Sequence, residues 1–219
     1  MKKVAPERRS LSAQPAAELP SQPLTENQSP HVILPSFMAT ISRDVPCLSV
    51  TAVSKDRLAV FRAEPIKEIF CKALDAARQS AGFAIFAYVI MPDHLHIITD
   101  GARKSSDTLR FIKGVTSRRI LQFIKDHHYQ SSLEKLRRQN NARGHEYSVW
   151  DHHSNVVLLT TEGAFMQRVN YIHQNPVRAG LAERAVDYRW SSARIWSRTP
   201  REDEPLTVDV DRIVWRSPE

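Results

Sequence analysis

The chain has 219 residues, enough to bury one good core, so we expect one domain with tails rather than two full domains. Its 31 Lys and Arg exceed its 24 Asp and Glu, and the net charge of +7 favours a polyanionic partner, nucleic acid ahead of a membrane surface. Two cysteines without Cys-x-x-Cys spacing argue against a thiolate zinc site and a disulfide framework, so we expect a cytoplasmic protein. The chain has no run of roughly eighteen apolar residues that could span a membrane.

Residues 1–36 are predicted to form a disordered tail. The segment holds six of the thirteen prolines and no aromatic residue. Such a composition cannot bury enough apolar area to offset its conformational entropy. Order is expected to begin near Phe37, and a folded region over 37–199 is expected to be followed by a charged tail over 200–219.

Three strands and one helix are predicted next. Residues 47–53 alternate apolar with small or polar side chains, as a strand does. Apolar residues at three- and four-residue spacing predict a helix over 64–80, which Gly82 ends. The run 83–90 is apolar on both faces and predicts a central strand, and the Pro-Asp turn after it predicts an antiparallel strand over 94–99.

The later segments are, in order, a helix, a basic surface insertion, a strand and a further helix, over residues 106–126, 128–146, 154–160 and 162–175. Thr161 is the predicted N-cap of the last helix, and Pro176 is expected to end or kink it. The order strand, helix, strand, strand, helix, strand predicts an α+β protein with a ferredoxin-like, split βαβ antiparallel sheet and its helices on one face. The helix over 162–175 is an addition to that sheet.

Two histidines occupy alternate positions of the strand predicted over 94–99. Because strand side chains alternate between faces, His94 and His96 point the same way. Their ring nitrogens could bind one divalent cation and leave its other positions open for substrate oxygens. A pair of ordinary polar residues would show the same pattern.

Tyr171 lies off the buried side of the helix over 162–175. At ~100° per residue it falls well away from the apolar residues that face the sheet, and it shares its stripe with Asn175. A tyrosine near a bound cation can attack a phosphodiester, and a second hydroxyl can reverse the step, so no external energy source is required. The chain shows no Gly-x-x-x-x-Gly-Lys phosphate loop. A tyrosine that covers the edge of the sheet is the alternative.

Four motifs follow one another along the chain: Met91–His96, Phe111–Ser117, Tyr171–Leu181 and Tyr188–Ser192. In sequence and order they resemble the single-tyrosine transposases of bacterial insertion sequences, specifically the REP-associated tyrosine transposases of the His-hydrophobic-His nuclease superfamily. The resemblance covers residues 37–197. It implies a ferredoxin-like catalytic domain, dependence on Mg²⁺ or Mn²⁺, and sequence-directed cleavage and rejoining of single-stranded DNA beside an imperfect hairpin.

The resemblance also implies roles for individual residues. His94 and His96 would be metal ligands, and Tyr171 would be the nucleophile that forms a 5′-phosphotyrosine intermediate. Asn175, one helical turn after the tyrosine, would be the third ligand, with Asp93 or water as substitutes.

Lys113, Arg118 and Arg119 are predicted to contact the DNA backbone, since phosphate contacts supply most non-specific affinity. A solvated helix face would show the same pattern. Two other functions stay open: a domesticated hairpin-DNA-binding protein with little turnover, and a metal-dependent nucleotide hydrolase that uses water instead of Tyr171. A homodimer, and attack by the tyrosine across its two subunits, stay open as well.

Overall fold

The structure is a computed structural model that describes residues 39–138 and 146–215. The predicted tail over 1–36 lies outside the described residues, as does the segment 139–145 of the predicted insertion. The helices are α1 (Glu64–Ala81), α2 (Ser105–Asp126), α3 (Gln130–Lys135), α4 (Glu162–Arg178) and α5 (Ala193–Trp196). The strands are β1 (Ala39–Thr40), β2 (Cys47–Ser54), β3 (Ile85–Ile90), β4 (His94–Thr99), β5 (Trp150–Leu159) and β6 (Ile213–Val214). None of the helices in the described ranges has the length and hydropathy needed to cross a bilayer.

Four strands form the main sheet in the order β3-β4-β2-β5, with every neighbouring pair antiparallel. Together with α1 after β2 and α2 before β5, this order gives the ferredoxin-like topology. The prediction of an α+β, split βαβ fold is therefore confirmed. β1 and β6 pair in parallel as a separate two-stranded sheet.

Helix α1 follows directly from its sequence pattern. Ile66, Phe70 and Leu74 recur at four-residue spacing and are buried against the sheet. Gly82 ends the helix in the left-handed region at φ 68°, and its N–H donates to Arg78 O at 2.7 Å. A residue without a Cβ adopts this conformation at little cost, so the predicted end of the helix is confirmed.

β3 lies at the edge of the sheet, so the prediction of a central strand is wrong. All six of its residues are nonetheless buried. The chain beyond α4 covers the free edge, because Ile90 N donates to Trp190 O at 2.9 Å and Ser192 N donates to Tyr88 O at 3.0 Å. An apolar run indicates that a strand is buried, not where it lies in the sheet. Here irregular backbone, instead of a further strand, buries the free edge of β3.

Helix α4 does not end at Pro176 but continues to Arg178. A proline has no N–H for the carbonyl four residues earlier, which here belongs to Ile172. The side chain of Asn175 compensates, because its Nδ2 donates to Tyr171 O at 2.8 Å and to Ile172 O at 3.4 Å. The Ile172 carbonyl, which the proline leaves without an N–H donor, therefore keeps a partner.

Residues 201–215 pack on the domain, although the sequence predicted a charged tail over 200–219, of which 216–219 lie outside the described residues. Leu206 is 3% exposed, and the side chains of Arg194 and Glu204 form a buried ion pair, with Nε and Oε1 2.7 Å apart. Asp209 Oδ2 accepts a hydrogen bond from Ile85 N at 2.9 Å. The folded region therefore extends beyond the predicted boundary at 199, because charged residues of this segment have partners within the domain.

The described part of the predicted insertion also contributes to the core. Leu133 and Leu136 are buried, and Ser148 N donates to Leu136 O at 2.9 Å. The segment is therefore more than the basic surface insertion expected over 128–146.

Candidate active site

The two histidines of β4 lie on the face of the sheet opposite to α2. His96 is paired with Thr51 of β2 in the register, and the two side chains share a face. α2 packs on the other face, where the side chain of Lys113 contacts Ser154 of β5. Ser154 pairs with Ala52, the residue after Thr51 on β2, so its side chain lies on the face opposite to that of Thr51. The ring centroids of His94 and His96 are 4.9 Å apart. The side-by-side arrangement expected from the alternation is therefore present.

A carboxylate orients His94. The Nδ1 atom of His94 is 2.6 Å from Asp93 Oδ1, and Arg57 Nη1 is 3.1 Å from Asp93 Oδ2. Burial alone would raise the pKa of Asp93, but the hydrogen bonds and charges of His94 and Arg57 outweigh it and lower the pKa. Because an ionised carboxylate can only accept, Nδ1 of His94 is the donor in this contact, and Nε2 is the ring nitrogen that could bind a cation.

The partner of His96 is a hydroxyl instead of a carboxylate, because Thr51 Oγ1 lies 2.8 Å from His96 Nδ1. His96 is 5% exposed, and burial, followed by the charges of His94 and Arg168, lowers its pKa to about 3. The ring is therefore neutral near pH 7, the form that binds a metal ion. Since both Nδ1 atoms have hydrogen-bond partners, Nε2 is the nitrogen that each ring could offer to a cation, His96 in the tautomer that carries its proton on Nδ1.

Helix α4 carries Tyr171 across the same face of the sheet. Its N-cap is Thr161, whose Oγ1 accepts a hydrogen bond from Ala164 N at 3.2 Å, as predicted. Phe165 is fully buried and fixes the helix on the sheet. The Tyr171 ring centroid lies 5.5 Å from that of His96, and the tyrosine is 37% exposed. The tyrosine and the imidazoles therefore meet on one side of the sheet, where the tyrosine is exposed and His96 is buried.

Two arginines that the sequence interpretation did not select flank the tyrosine ring. Arg168 Cζ lies 4.9 Å and Arg178 Cζ 5.2 Å from the Tyr171 ring centroid. Both arginines are at helical spacing from Tyr171, three residues before it and seven after it, which is the signal that could have identified them. Arg168 also bonds to Ser49 on β2, a contact that the sequence does not predict.

The candidates for a third metal ligand differ in what they already bind. Asp93 is engaged by His94 and Arg57, as described above. The amide nitrogen of Asn175 is used on its own helix, which leaves Oδ1 as its oxygen donor. In the part of the chain that the structure describes, no group of three or more His, Cys, Asp and Glu side chains comes together as a metal site. The site offers two nitrogens with open positions for oxygens, a donor set that fits a six-coordinate divalent cation.

A groove of about 1290 Å³ runs along α2 on the opposite face of the sheet. Its basic side chains are Lys55, Arg110, Lys113, Arg118, Lys125 and Arg138. Lys113 is already engaged, because its Nζ donates to Asp151 O at 2.7 Å and to Ser154 Oγ at 3.1 Å. Burial lowers the pKa of Lys113, and the charge of Asp151 opposes that shift. Lys113 thus fastens α2 to β5 within the groove.

The other two residues predicted to contact DNA are adjacent but differently placed. Arg118 lines the groove, whereas Arg119 is not among its lining residues. Both are exposed. The helix turns by ~100° between them, so neighbouring charges of the same kind face different surroundings.

Comparison with known proteins gives a matching family and several similar solved structures. The family described as "Transposase IS200 like" matches residues 48–162, a range that contains both histidines and ends before Tyr171. No curated protein matches the chain. A structure of a REP-associated tyrosine transposase bound to a REP hairpin is 17% identical, with a TM-score of 0.51, over 75% of this chain and 86% of that one. A candidate transposase from Deinococcus radiodurans is 18% identical, with a TM-score of 0.42, over 58% of this chain and 88% of that one. At these identities the first structure supports the fold.

Proposed function

Because the chain belongs to the IS200-like transposase family, we propose that it cleaves and rejoins single-stranded DNA with Tyr171 as the nucleophile. The observation that carries this proposal is the position of the tyrosine. Its ring lies 5.5 Å from the ring of His96, which in turn lies 4.9 Å from the ring of His94. A nucleophile beside two potential metal ligands, on an accessible face, is the arrangement that metal-assisted phosphoryl transfer requires.

In the proposed reaction the Tyr171 hydroxyl oxygen attacks the phosphorus of one phosphodiester. A phosphorus–oxygen bond to the tyrosine forms, the bond to the 3′ oxygen breaks, and the phenolic proton is released while the 3′ oxygen takes up a proton. The products are a free 3′-hydroxyl and a 5′-phosphotyrosine. Attack by a second 3′-hydroxyl reverses these changes, joins a new strand and restores the tyrosine.

His94 and His96 would hold Mg²⁺ or Mn²⁺ through their Nε2 atoms, with Asn175 Oδ1 as the proposed oxygen ligand. A bound cation supplies neutralisation of the phosphate charge and polarisation of the phosphodiester. Asp93 and Thr51 orient the two rings through Nδ1, as outer partners of metal ligands do in other proteins.

A covalent adduct is the direct test of this function. Labelled single-stranded DNA containing an imperfect hairpin is incubated with the protein, with and without Mg²⁺ or Mn²⁺, and analysed on a denaturing gel. We expect a protein–DNA adduct with metal, its loss in Tyr171→Phe, and hairpin affinity that changes little in that variant. Tyr129→Phe is the matched control, because Tyr129 is exposed and does not line the groove along α2.

Other outcomes would favour other functions. An adduct that survives in Tyr171→Phe would show that another residue is the nucleophile. Hairpin binding without an adduct would favour a domesticated DNA-binding protein, and hydrolysis without an adduct would favour a metal-dependent nucleotide hydrolase.

The groove along α2 is the proposed binding surface for the sugar–phosphate backbone of the hairpin stem. Six of its lining side chains are basic, and Asp56 and Asp151 are its acidic ones. Within the described ranges, no carboxylate pairs with Arg118. An exposed, basic groove attracts a polyanion and gains affinity by releasing its counterions. A DNA-bound protein of this kind would be found at the nucleoid in the cytoplasm.

The neighbouring arginines give this surface a matched test. We expect Arg118→Ala to weaken hairpin binding and to reduce the slope of log affinity against log salt by about 0.9, the value for one lost phosphate contact. Arg119→Ala removes the same charge from the next residue and should leave the slope nearly unchanged. Binding is measured by fluorescence anisotropy in EDTA, so that cleavage does not interfere. Equal slopes for both variants would show that net charge, not the groove, is responsible.

A further inference from the structure

Arg168 carries a charge that the described residues do not neutralise. Its guanidinium lies between α4 and β2, where Nε donates to Ser49 Oγ at 2.7 Å and Nη2 donates to Thr51 Oγ1 at 3.5 Å. Among residues 39–138 and 146–215, no Asp or Glu lies within ion-pair distance of it. Two neutral hydroxyls thus fix the cation without cancelling its charge.

The same guanidinium lies against the proposed nucleophile. Its Cζ is 4.9 Å from the Tyr171 ring centroid, within the range of a cation–π contact. Thr51, one of its two anchors, also bonds to His96 Nδ1 at 2.8 Å. Arg168 therefore links the tyrosine ring to the hydroxyl that orients one of the imidazoles.

We propose that Arg168 is a positioning residue for Tyr171: anchored to β2 by Ser49 and Thr51, it holds the phenol ring beside the histidine pair. This inference rests on the proposed function, in which Tyr171 attacks phosphorus. An exposed tyrosine on a helix has more than one accessible rotamer, and a fixed cation against its ring favours one of them. Attack on phosphorus needs the oxygen in near-attack geometry, so loss of this placement slows the reaction.

Arg178 provides the matched control. It lies on the same helix, and its Cζ is at a similar distance, 5.2 Å, from the Tyr171 ring centroid. It is exposed, and among the described contacts it makes no hydrogen bond to the sheet. Arg178 therefore supplies the same charge near the ring without the anchor on β2.

The rate of adduct formation at saturating DNA separates positioning from charge. We expect Arg168→Ala to lower this rate about 10–100-fold, with a much smaller change in DNA affinity, and Arg168→Lys to restore part of it. Arg178→Ala removes a charge at a similar distance from the ring but no contact with β2, so it should lower the rate less than Arg168→Ala does. Ser49→Ala should slow the reaction, and should add little in the Arg168→Ala background because the two act through one contact. Equal losses in Arg168→Ala and Arg178→Ala, or a loss confined to affinity, would overturn the inference.

A second measurement follows the environment of the Tyr171 ring in the absence of DNA and metal. The protein is labelled with 3-fluorotyrosine, and the ¹⁹F resonance of Tyr171 is assigned by its absence in Tyr171→Phe. Ser49→Ala, which removes only a hydroxyl bound to Arg168, should shift and broaden this resonance in the same way as Arg168→Ala. An unchanged resonance in Ser49→Ala would refute the anchoring role. If the wild type forms no adduct, the proposed function fails, but the ¹⁹F resonance still tests whether Arg168 holds the Tyr171 ring. If the wild type forms an adduct and the Arg168 and Ser49 variants form it at the same rate, only the inference fails.

Discussion

Lowering the pH should destabilise the protein through His173, a residue outside the proposed chemistry. His173 lies on α4, is 7% exposed, and has its Nε2 2.8 Å from Ser192 Oγ. Burial lowers its pKa to about 4, whereas an unfolded histidine has a pKa of ~6.5. As the pH falls below the unfolded value, the unfolded chain binds a proton that the folded chain does not, so the free energy of unfolding decreases until about pH 4.

The size of the effect follows from these two pKa values. Each pH unit in that window lowers the free energy of unfolding by about 1.4 kcal/mol per histidine, so His173 should contribute a loss of about 2 kcal/mol between about pH 7 and about pH 5. His96, with a pKa of about 3, adds a loss of the same sign over the same interval.

Urea unfolding at the two pH values, with EDTA to exclude metal binding by the other histidines, measures this contribution. His173→Gln keeps a polar group that can reach Ser192 but cannot be protonated in this range. Whatever its stability at neutral pH, the variant should lose about 2 kcal/mol less than the wild type on acidification. An identical loss in both proteins would show that His173 is not buried in its neutral form, and would refute the reasoning.

Three further substitutions test other parts of the structure. Asp93→Ala removes the carboxylate partner of a proposed ligand and should lower Mn²⁺ affinity about 10–100-fold, measured by titration calorimetry. Phe165→Ala leaves a cavity at a fully buried site and should reduce the free energy of unfolding in urea by about 3–5 kcal/mol. Glu204→Ala leaves the buried Arg194 without its carboxylate and should cost about 3–5 kcal/mol, whereas Glu202→Ala at an exposed position should change stability by less than about 0.5 kcal/mol.

The amino-acid sequence alone determined most of the helices and strands and the sides on which the key residues lie. The apolar spacing of α1 and its end at Gly82 are local properties, and the structure confirms both. The alternation of β4 places His94 and His96 on one face, and helical spacing places Tyr171 away from the buried side of α4. The family match confirms the resemblance to transposases of insertion sequences that the four motifs indicated.

Only the tertiary structure decided which distant residues meet. The apolar pattern of β3 shows that it is buried, but the strand order places it at the edge, and its free edge is covered by Trp190 and Ser192, about a hundred residues later. The anchoring of Arg168 by Ser49 is likewise a contact across 119 positions. Side-chain periodicity depends on a residue's immediate neighbours, whereas hydrogen-bond partners are set by how the elements pack, and a single sequence does not encode that packing in its local pattern.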